Sequence, residues 1–79
     1  MEDKGMRIGK PFVIANLVER LLKGESVVKD DIIAEFEITV DQFHRYIAAV
    51  KKYMATFHGD LELTYRKSEN NYRLRRKRI

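Results

Sequence analysis

The sequence holds few side chains of the kinds that perform catalysis or bind metals. Its only histidines, His44 and His58, lie fourteen residues apart, and no carboxylates accompany them in an arrangement typical of a metal site. Ser26 and Ser68 have no base placed to activate them, and the chain contains no glycine-rich phosphate loop. Cysteine is absent, which excludes disulfides and thiolate zinc sites. We therefore expect neither an enzyme nor a protein that needs a metal or a cofactor.

The residues best suited to chemistry are the cations near the C-terminus. Residues 73–78 include five cations in six positions. Residues 41–79 carry ten cations and four carboxylates, whereas residues 1–40 carry six cations and eight carboxylates, so the formal net charge of +4 conceals a strongly basic half. This asymmetry favours a polyanionic partner, with nucleic acid ahead of acidic lipid. A solvated basic tail that only keeps the protein soluble is the alternative interpretation.

Length and composition set the scale of the fold. A chain of 79 residues, 44% of them hydrophobic, has material for one small folded domain. It contains no apolar run near the roughly 20 residues that a membrane span needs, and its first residues do not resemble a signal peptide. We therefore expect a cytoplasmic protein with no membrane partner.

Apolar periodicity predicts two helices in the first half of the chain. Pairs of apolar residues recur every four positions over residues 13–22. Pro11 precedes this stripe and is tolerated in a first helical turn, while Gly24 follows it and can end a helix. A second helix of about two turns is predicted to start at Asp30 and Asp31, because carboxylates favour the N-terminus of a helix.

A third helix has the clearest start signal in the sequence. Thr39 and Gln42 match a capping box, in which each side chain bonds to the other residue's backbone N–H. Ile38 and Phe43 flank the cap in the positions of a hydrophobic staple. Apolar residues then recur at helical spacing for about four turns, up to Gly59–Asp60.

The last part of the chain predicts a β-hairpin. Apolar and polar residues alternate over residues 61–66 and again over residues 72–75, which is the period of a half-buried strand. The segment between them is rich in turn formers, and the Asn70–Asn71 pair tolerates positive φ.

Three stretches of the sequence follow a recognisable pattern. They are Ile32-Ile33-Ala34-Glu35-Phe36-Glu37-Ile38-Thr39, Gln42-Phe43-His44-Arg45-Tyr46-Ile47 with Val50 three residues later, and Asn70-Asn71-Tyr72-Arg73-Leu74. They resemble the winged helix-turn-helix reader of the DeoR-type and WYL-associated bacterial transcription regulators. That family's pattern runs Leu-Ala-Glu-x-Phe-Gly-Val-Ser, then Thr-Ile-Arg-Arg-Asp-Ile and a Leu, which Val50 replaces here, then a wing that ends in Gly-Gly-Tyr-x-Leu. The resemblance covers roughly residues 17–75.

Three positions depart from that pattern. Glu37 replaces the glycine of the turn, so either the turn differs or a non-glycine residue adopts a strained conformation. Val28 stands where the short helix usually has a Ser or Thr cap, and Asn70–Asn71 replaces the two wing glycines.

The predicted fold is α+β and mainly α: a three-helix winged helix-turn-helix with a C-terminal two-stranded β-hairpin wing. We expect a flexible N-terminal arm over residues 1–10, the winged domain over 11–75, and a basic C-terminal tail over 76–79. Relatives in the resembled family often carry a C-terminal effector domain, and we expect neither such a domain nor a small-molecule effector here. A homodimer formed through the first helix or the arm would raise DNA affinity.

The resemblance implies sequence-specific binding of double-stranded DNA by a small transcriptional regulator. On the outer side of the third helix, Gln42 suits an adenine edge, Arg45 or His44 suits guanine, and the alanines suit a thymine methyl group. Thr39 at the helix N-terminus can hold a phosphate. The complete set of expected DNA contacts is Thr39, Gln42, His44, Arg45, Ala48, Ala49, Lys52, Arg66, Lys67, Arg73, Arg75 and Arg76.

Other functions fit the same residues. Asp41 is a poor residue to present to DNA, and its spacing from Arg45 is also that of an ordinary surface ion pair. A winged helix that acts as a protein-interaction module, docking on an acidic partner, is therefore the second hypothesis. RNA binding through the same basic surface is the third.

Overall fold

The structure is a computed structural model that describes residues 9–77, so most of the predicted arm and the last two residues lie outside the described part. Three helices precede an antiparallel two-stranded hairpin, which confirms the predicted α+β, mainly helical fold. The elements are α1 (Lys10–Leu22), α2 (Lys29–Phe36), α3 (Val40–Phe57), β1 (Leu61–Arg66) and β2 (Asn71–Arg76). Lys10 belongs to α1 and Arg76 to β2, so the folded unit extends one residue beyond the predicted boundary at each end.

Helix α1 begins and ends as its flanking residues predict. Pro11 lies in the first turn, where its missing N–H leaves no carbonyl unpaired. Beyond the last turn, Gly24 adopts a φ of 89°, and its N–H donates to the Leu21 carbonyl at 3.0 Å. The Glu25 N–H donates to the Arg20 carbonyl at 3.0 Å. These two bonds form a Schellman motif, which needs a residue that tolerates the left-handed conformation.

The turn between α2 and α3 contains a non-glycine residue in a left-handed conformation. Glu37 has φ 54° and ψ 49°, and the Ile38 N–H donates to the Ile33 carbonyl at 3.2 Å. The sequence allowed either a different turn or a non-glycine residue in a strained conformation, and the structure shows the strained residue. At the other end of α2, Val28 caps the helix without a side-chain hydrogen bond.

Helix α3 starts with the predicted capping box. The Gln42 N–H donates to Thr39 Oγ1 at 3.0 Å, and the Thr39 N–H donates to Gln42 Oε1 at 2.9 Å. Phe43 is fully buried one residue later, and Ile38 packs against the core beside the cap. The cap thus fixes where α3 begins and which of its sides faces inward.

One apolar core joins α1, α3 and the inner side of the hairpin. The buried residues of α1 contact those of α3, and Ile32 from α2 and Leu63 from β1 close the core on two sides. Its buried hydrophobic residues are Val13, Leu17, Val18, Leu21, Val27, Ile32, Phe43, Tyr46, Ile47, Val50, Met54 and Leu63. No helix within residues 9–77 is long and apolar enough to cross a membrane.

The hairpin is attached to the rest of the fold by backbone hydrogen bonds as well as by apolar contacts. Leu63 pairs with Leu74 and Tyr65 with Tyr72 across the two strands, and Asn70 takes a φ of 54° in the turn. Val27 and Tyr72 exchange two backbone hydrogen bonds of 2.8 Å, which places the α1–α2 connection alongside β2. The backbone at Val27 therefore pairs with β2 on the edge of the hairpin, as a very short third strand would.

Candidate nucleic-acid interface

The outward side of α3 is open to solvent, as a groove-reading helix requires. Its inward positions are filled by the core, which leaves the opposite side free along the whole helix. The predicted contact residues Gln42, His44, Arg45, Ala48 and Lys52 are exposed, and Ala49 is half-buried at the edge of that side. The structure thus brings the predicted α3 residues to one surface.

The capping box limits what the first two predicted contacts can do. Gln42 Oε1 already accepts from the Thr39 N–H, so the orientation of the Gln42 amide is set by the helix start. Gln42 is exposed and its amide N–H groups remain available as donors, whereas reading an adenine requires both the amide oxygen and the nitrogen. The Thr39 hydroxyl accepts from Gln42 and keeps its own proton to donate to a phosphate.

Arg45 forms only a weak ion pair. Its Nη2 lies 3.5 Å from Asp41 Oδ2, and the two side chains are 72% and 84% exposed. Pairs with such exposure contribute little to stability because water screens both charges. The Arg45 guanidinium can therefore leave Asp41 for a base edge or a phosphate at small cost.

A groove between α3 and β1 brings helix and hairpin residues together. It measures about 630 Å³. Ala48 and Ala55 leave it open on the helix side, Leu61 and Leu63 line it on the strand side, and the residues that give it charge are Lys51, Lys52, Lys77 and Glu62.

Lys51 and Lys77 extend the surface beyond the predicted contact set. Lys77 is held beside the start of β1 because its N–H donates to the Asp60 carbonyl at 2.8 Å. Lys51 follows Ala48 by one helical turn, so it lies on the side of α3 that faces the hairpin. The helical spacing of Lys51 was visible in the sequence, but the position of the strand beside it was not.

The arginines of the hairpin differ in how they are paired. Arg75 binds Glu62 through two guanidinium nitrogens, and Arg66 Nη1 lies 3.5 Å from Glu69 Oε2. Arg73 forms no ion pair with any residue in the described part of the chain, and its carbonyl accepts from the Thr64 hydroxyl at 3.1 Å. Lys67 and Arg76 are exposed at opposite ends of the hairpin.

A line of aromatic rings connects the hairpin to the start of α3. The ring centroids of Tyr65 and Tyr72 lie 4.9 Å apart, Tyr72 and Phe43 lie 5.8 Å apart, and Phe43 and His44 also lie 5.8 Å apart. Burial raises the pKa of the Tyr72 phenol above its usual value, and the neighbouring Tyr65 raises it further. These contacts orient the inner side of the hairpin against α3.

Acidic and basic residues are segregated along the molecule. Residues 29–45 carry five carboxylates and two cations, whereas residues 61–77 carry six cations and two carboxylates. The α2–α3 turn is thus acidic, and the hairpin with the later part of α3 is basic. Between residues 9 and 77, no group of three or more His, Asp or Glu side chains is arranged to hold a metal ion.

No family model, curated protein or solved structure matches the chain. The resemblance to the DeoR-type and WYL-associated readers therefore stays a prediction from the three sequence stretches that carry it.

Proposed function

We propose that the protein binds double-stranded DNA, with the outward side of α3 in the major groove and the basic hairpin on the flanking backbone. The observation that carries this proposal is the groove lined by Lys51 and Lys52 of α3 and by Lys77 beside the hairpin, where these three cations outnumber the single carboxylate, Glu62. Cations from two elements line one concave surface, and small alanines leave room for close approach. That arrangement suits a phosphate backbone next to a groove-reading helix.

The proposed role is that of a small transcriptional regulator in the cytoplasm. Phosphate contacts by the lysines and the hairpin arginines position the protein, and Arg45, His44 and Ala48 then meet base edges. Gln42 contributes through its amide donors while its oxygen stays in the capping box. Because binding alone accounts for these residues, the proposal includes no catalysis and no cofactor.

Selection from a random duplex pool tests this proposal. We expect a consensus site to emerge, and we expect Arg45→Ala to lose about 1–3 kcal/mol of discrimination at one position of that site while non-specific binding persists. A thermal unfolding curve for each variant separates lost contacts from lost fold. A pool that shows no enrichment after repeated rounds would contradict sequence-specific binding.

We also propose that two copies associate through the apolar surface between α1 and the later part of α3. A groove of about 510 Å³ there is lined by Ile14 and Leu22 of α1 and by Tyr53 of α3. Phe57, which is 68% exposed, lies beside Tyr53 with ring centroids 5.0 Å apart. A second copy that covers this apolar surface would double the number of phosphate contacts. Sedimentation at increasing concentration should show a monomer–dimer shift that Phe57→Lys removes, and a constant monomer mass with and without DNA would rule the dimer out.

The second candidate function is docking on an acidic protein partner. The carboxylates that surround the α2–α3 turn favour it, because they oppose the approach of DNA to the start of α3. An absence of duplex binding at low salt, together with binding to an acidic polypeptide, would support this candidate. Preference for structured RNA over duplex in direct competition would instead support RNA binding.

A further inference from the structure

The hairpin carries a second groove, on the side that faces away from α3. It measures about 420 Å³ and lies between the two strands and the α1–α2 connection. Arg66, Arg73 and Arg75 line it, together with Thr64. Two of these arginines are paired with carboxylates: Arg75 binds Glu62, and Arg66 Nη1 lies 3.5 Å from Glu69 Oε2. Gly24 forms the opposite edge, and no heavy atom lies within 4 Å of the position that a Cβ would take there.

Strand geometry explains why the arginines converge. Arg73 and Arg75 are two residues apart on β2, so their side chains leave the same face about 7 Å apart. Arg66 lies diagonally across from Arg73, because Thr64 is the residue paired with Arg73, and diagonal neighbours are about 7–8 Å apart. Three guanidinium groups at this spacing can contact neighbouring phosphates of one strand, and Arg75 does so by exchanging its ion pair with Glu62, in which the Arg75 side chain is 69% exposed.

We infer that this outer groove, lined by Arg66, Arg73 and Arg75, binds a sugar–phosphate backbone separately from the groove between α3 and β1. The inference rests on the proposed DNA binding and assigns part of it to a surface that α3 does not reach. Arg73 is the principal contact because it forms no ion pair within residues 9–77, and the 3.5 Å pair between Arg66 and Glu69 is exposed enough to exchange for a phosphate.

The test uses Thr64→Glu with Thr64→Gln as its matched control. Thr64 pairs directly with Arg73 and lines the outer groove, so a carboxylate there competes with phosphate for the arginines. The control has the same shape, loses the same hydroxyl bond to the Arg73 carbonyl and adds no charge. Both full-length variants are compared with the parent for binding of a labelled duplex across a salt series, after thermal unfolding has shown that they fold.

The quantity compared is the slope of the logarithm of the binding constant against the logarithm of the salt concentration. We expect this slope to be the same for Thr64→Gln and the parent. For Thr64→Glu we expect it to be shallower by about 0.9, the value for one lost phosphate contact. Equal slopes and affinities for the two variants, on a duplex that the parent binds, would overturn the inference while leaving DNA binding by α3 intact. A parent that does not bind duplex at low salt would overturn both. Displacement of the duplex by polyglutamate at equal charge would contradict a backbone-specific groove.

Discussion

Glu37 is the residue whose conformation departs most clearly from what its type prefers. It occupies the left-handed region in an exposed turn, where a side chain costs about 1–2 kcal/mol and glycine costs almost nothing. The resembled family places glycine at this position, and in the structure Glu37 adopts the left-handed conformation that glycine adopts most readily. The sequence left open whether the turn differs or a non-glycine residue is strained, because residue types alone do not fix a backbone dihedral angle.

Replacing this residue should therefore stabilise the protein. We expect Glu37→Gly to raise the free energy of unfolding by about 0.5–1 kcal/mol, since relief of strain is partly offset by the greater freedom of glycine in the unfolded chain. Urea unfolding measures the change. Glu37→Ala removes the same charge but retains the Cβ, so an equal gain in both variants would show that charge, rather than strain, is responsible.

Tyr72 gives the protein a specific sensitivity to alkaline pH. Burial, followed by the proximity of Tyr65, raises its folded-state pKa above the usual 10.0, so the unfolded state loses the phenolic proton first as pH rises. Stability from this group is fully present below about pH 10 and is lost between the unfolded and folded pKa values.

We expect the stability of the parent to fall more steeply than that of Tyr72→Phe above about pH 10. Chemical unfolding at pH 8 and at pH 10.5 measures the difference, and Tyr53→Phe provides a control at an exposed tyrosine. A parallel fall in the parent and in Tyr72→Phe would contradict the assignment of the shift to Tyr72.

Among the elements, α3 has the most specific start. The capping box satisfies two backbone donors at the helix start and also orients Gln42. On the proposed function, the same pair of side chains stabilises the helix and limits Gln42 to its amide donors.

Thr39→Ala should lower the free energy of unfolding by about 1 kcal/mol, because the N3 amide loses its acceptor. Thr39→Ser keeps the hydroxyl and should remain within about 0.5 kcal/mol of the parent. Denaturant unfolding of the three proteins tests this. If Ala and Ser behave alike, the cap observed at Thr39 does not contribute to stability.

Local sequence signals predict most of the elements but not the contacts between distant ones. Local signals were sufficient for α1, α3 and the hairpin, because Gly24, Thr39 and Gln42 act on backbone groups within a few residues. The bonds between Val27 and Tyr72 join segments forty-five residues apart, so no local pattern announces them. Strand alternation also assigns Tyr65 to the inner side of the hairpin, yet its side chain is 49% exposed because the hairpin extends beyond the core.

For the whole molecule, the position of the charges matters more than their sum. A formal charge of +4 predicts only moderate attraction to DNA, but the cations are concentrated on the hairpin and the later part of α3. The predicted contacts Ala48 and Lys52 lie in the groove beside α3, and Arg66, Arg73 and Arg75 lie in the outer groove. The structure thus divides these predicted contacts between two separate grooves.

The affinity of the full chain for a labelled duplex across a salt series tests the central proposal most directly. If about six phosphates are neutralised, the logarithm of the binding constant should fall linearly with the logarithm of salt concentration, with a slope near −5. Binding should be measurable at about 50 mM salt and weaken by about a thousandfold at about 200 mM. Absence of binding at the lower concentration, or a slope near zero, would contradict DNA binding by this protein.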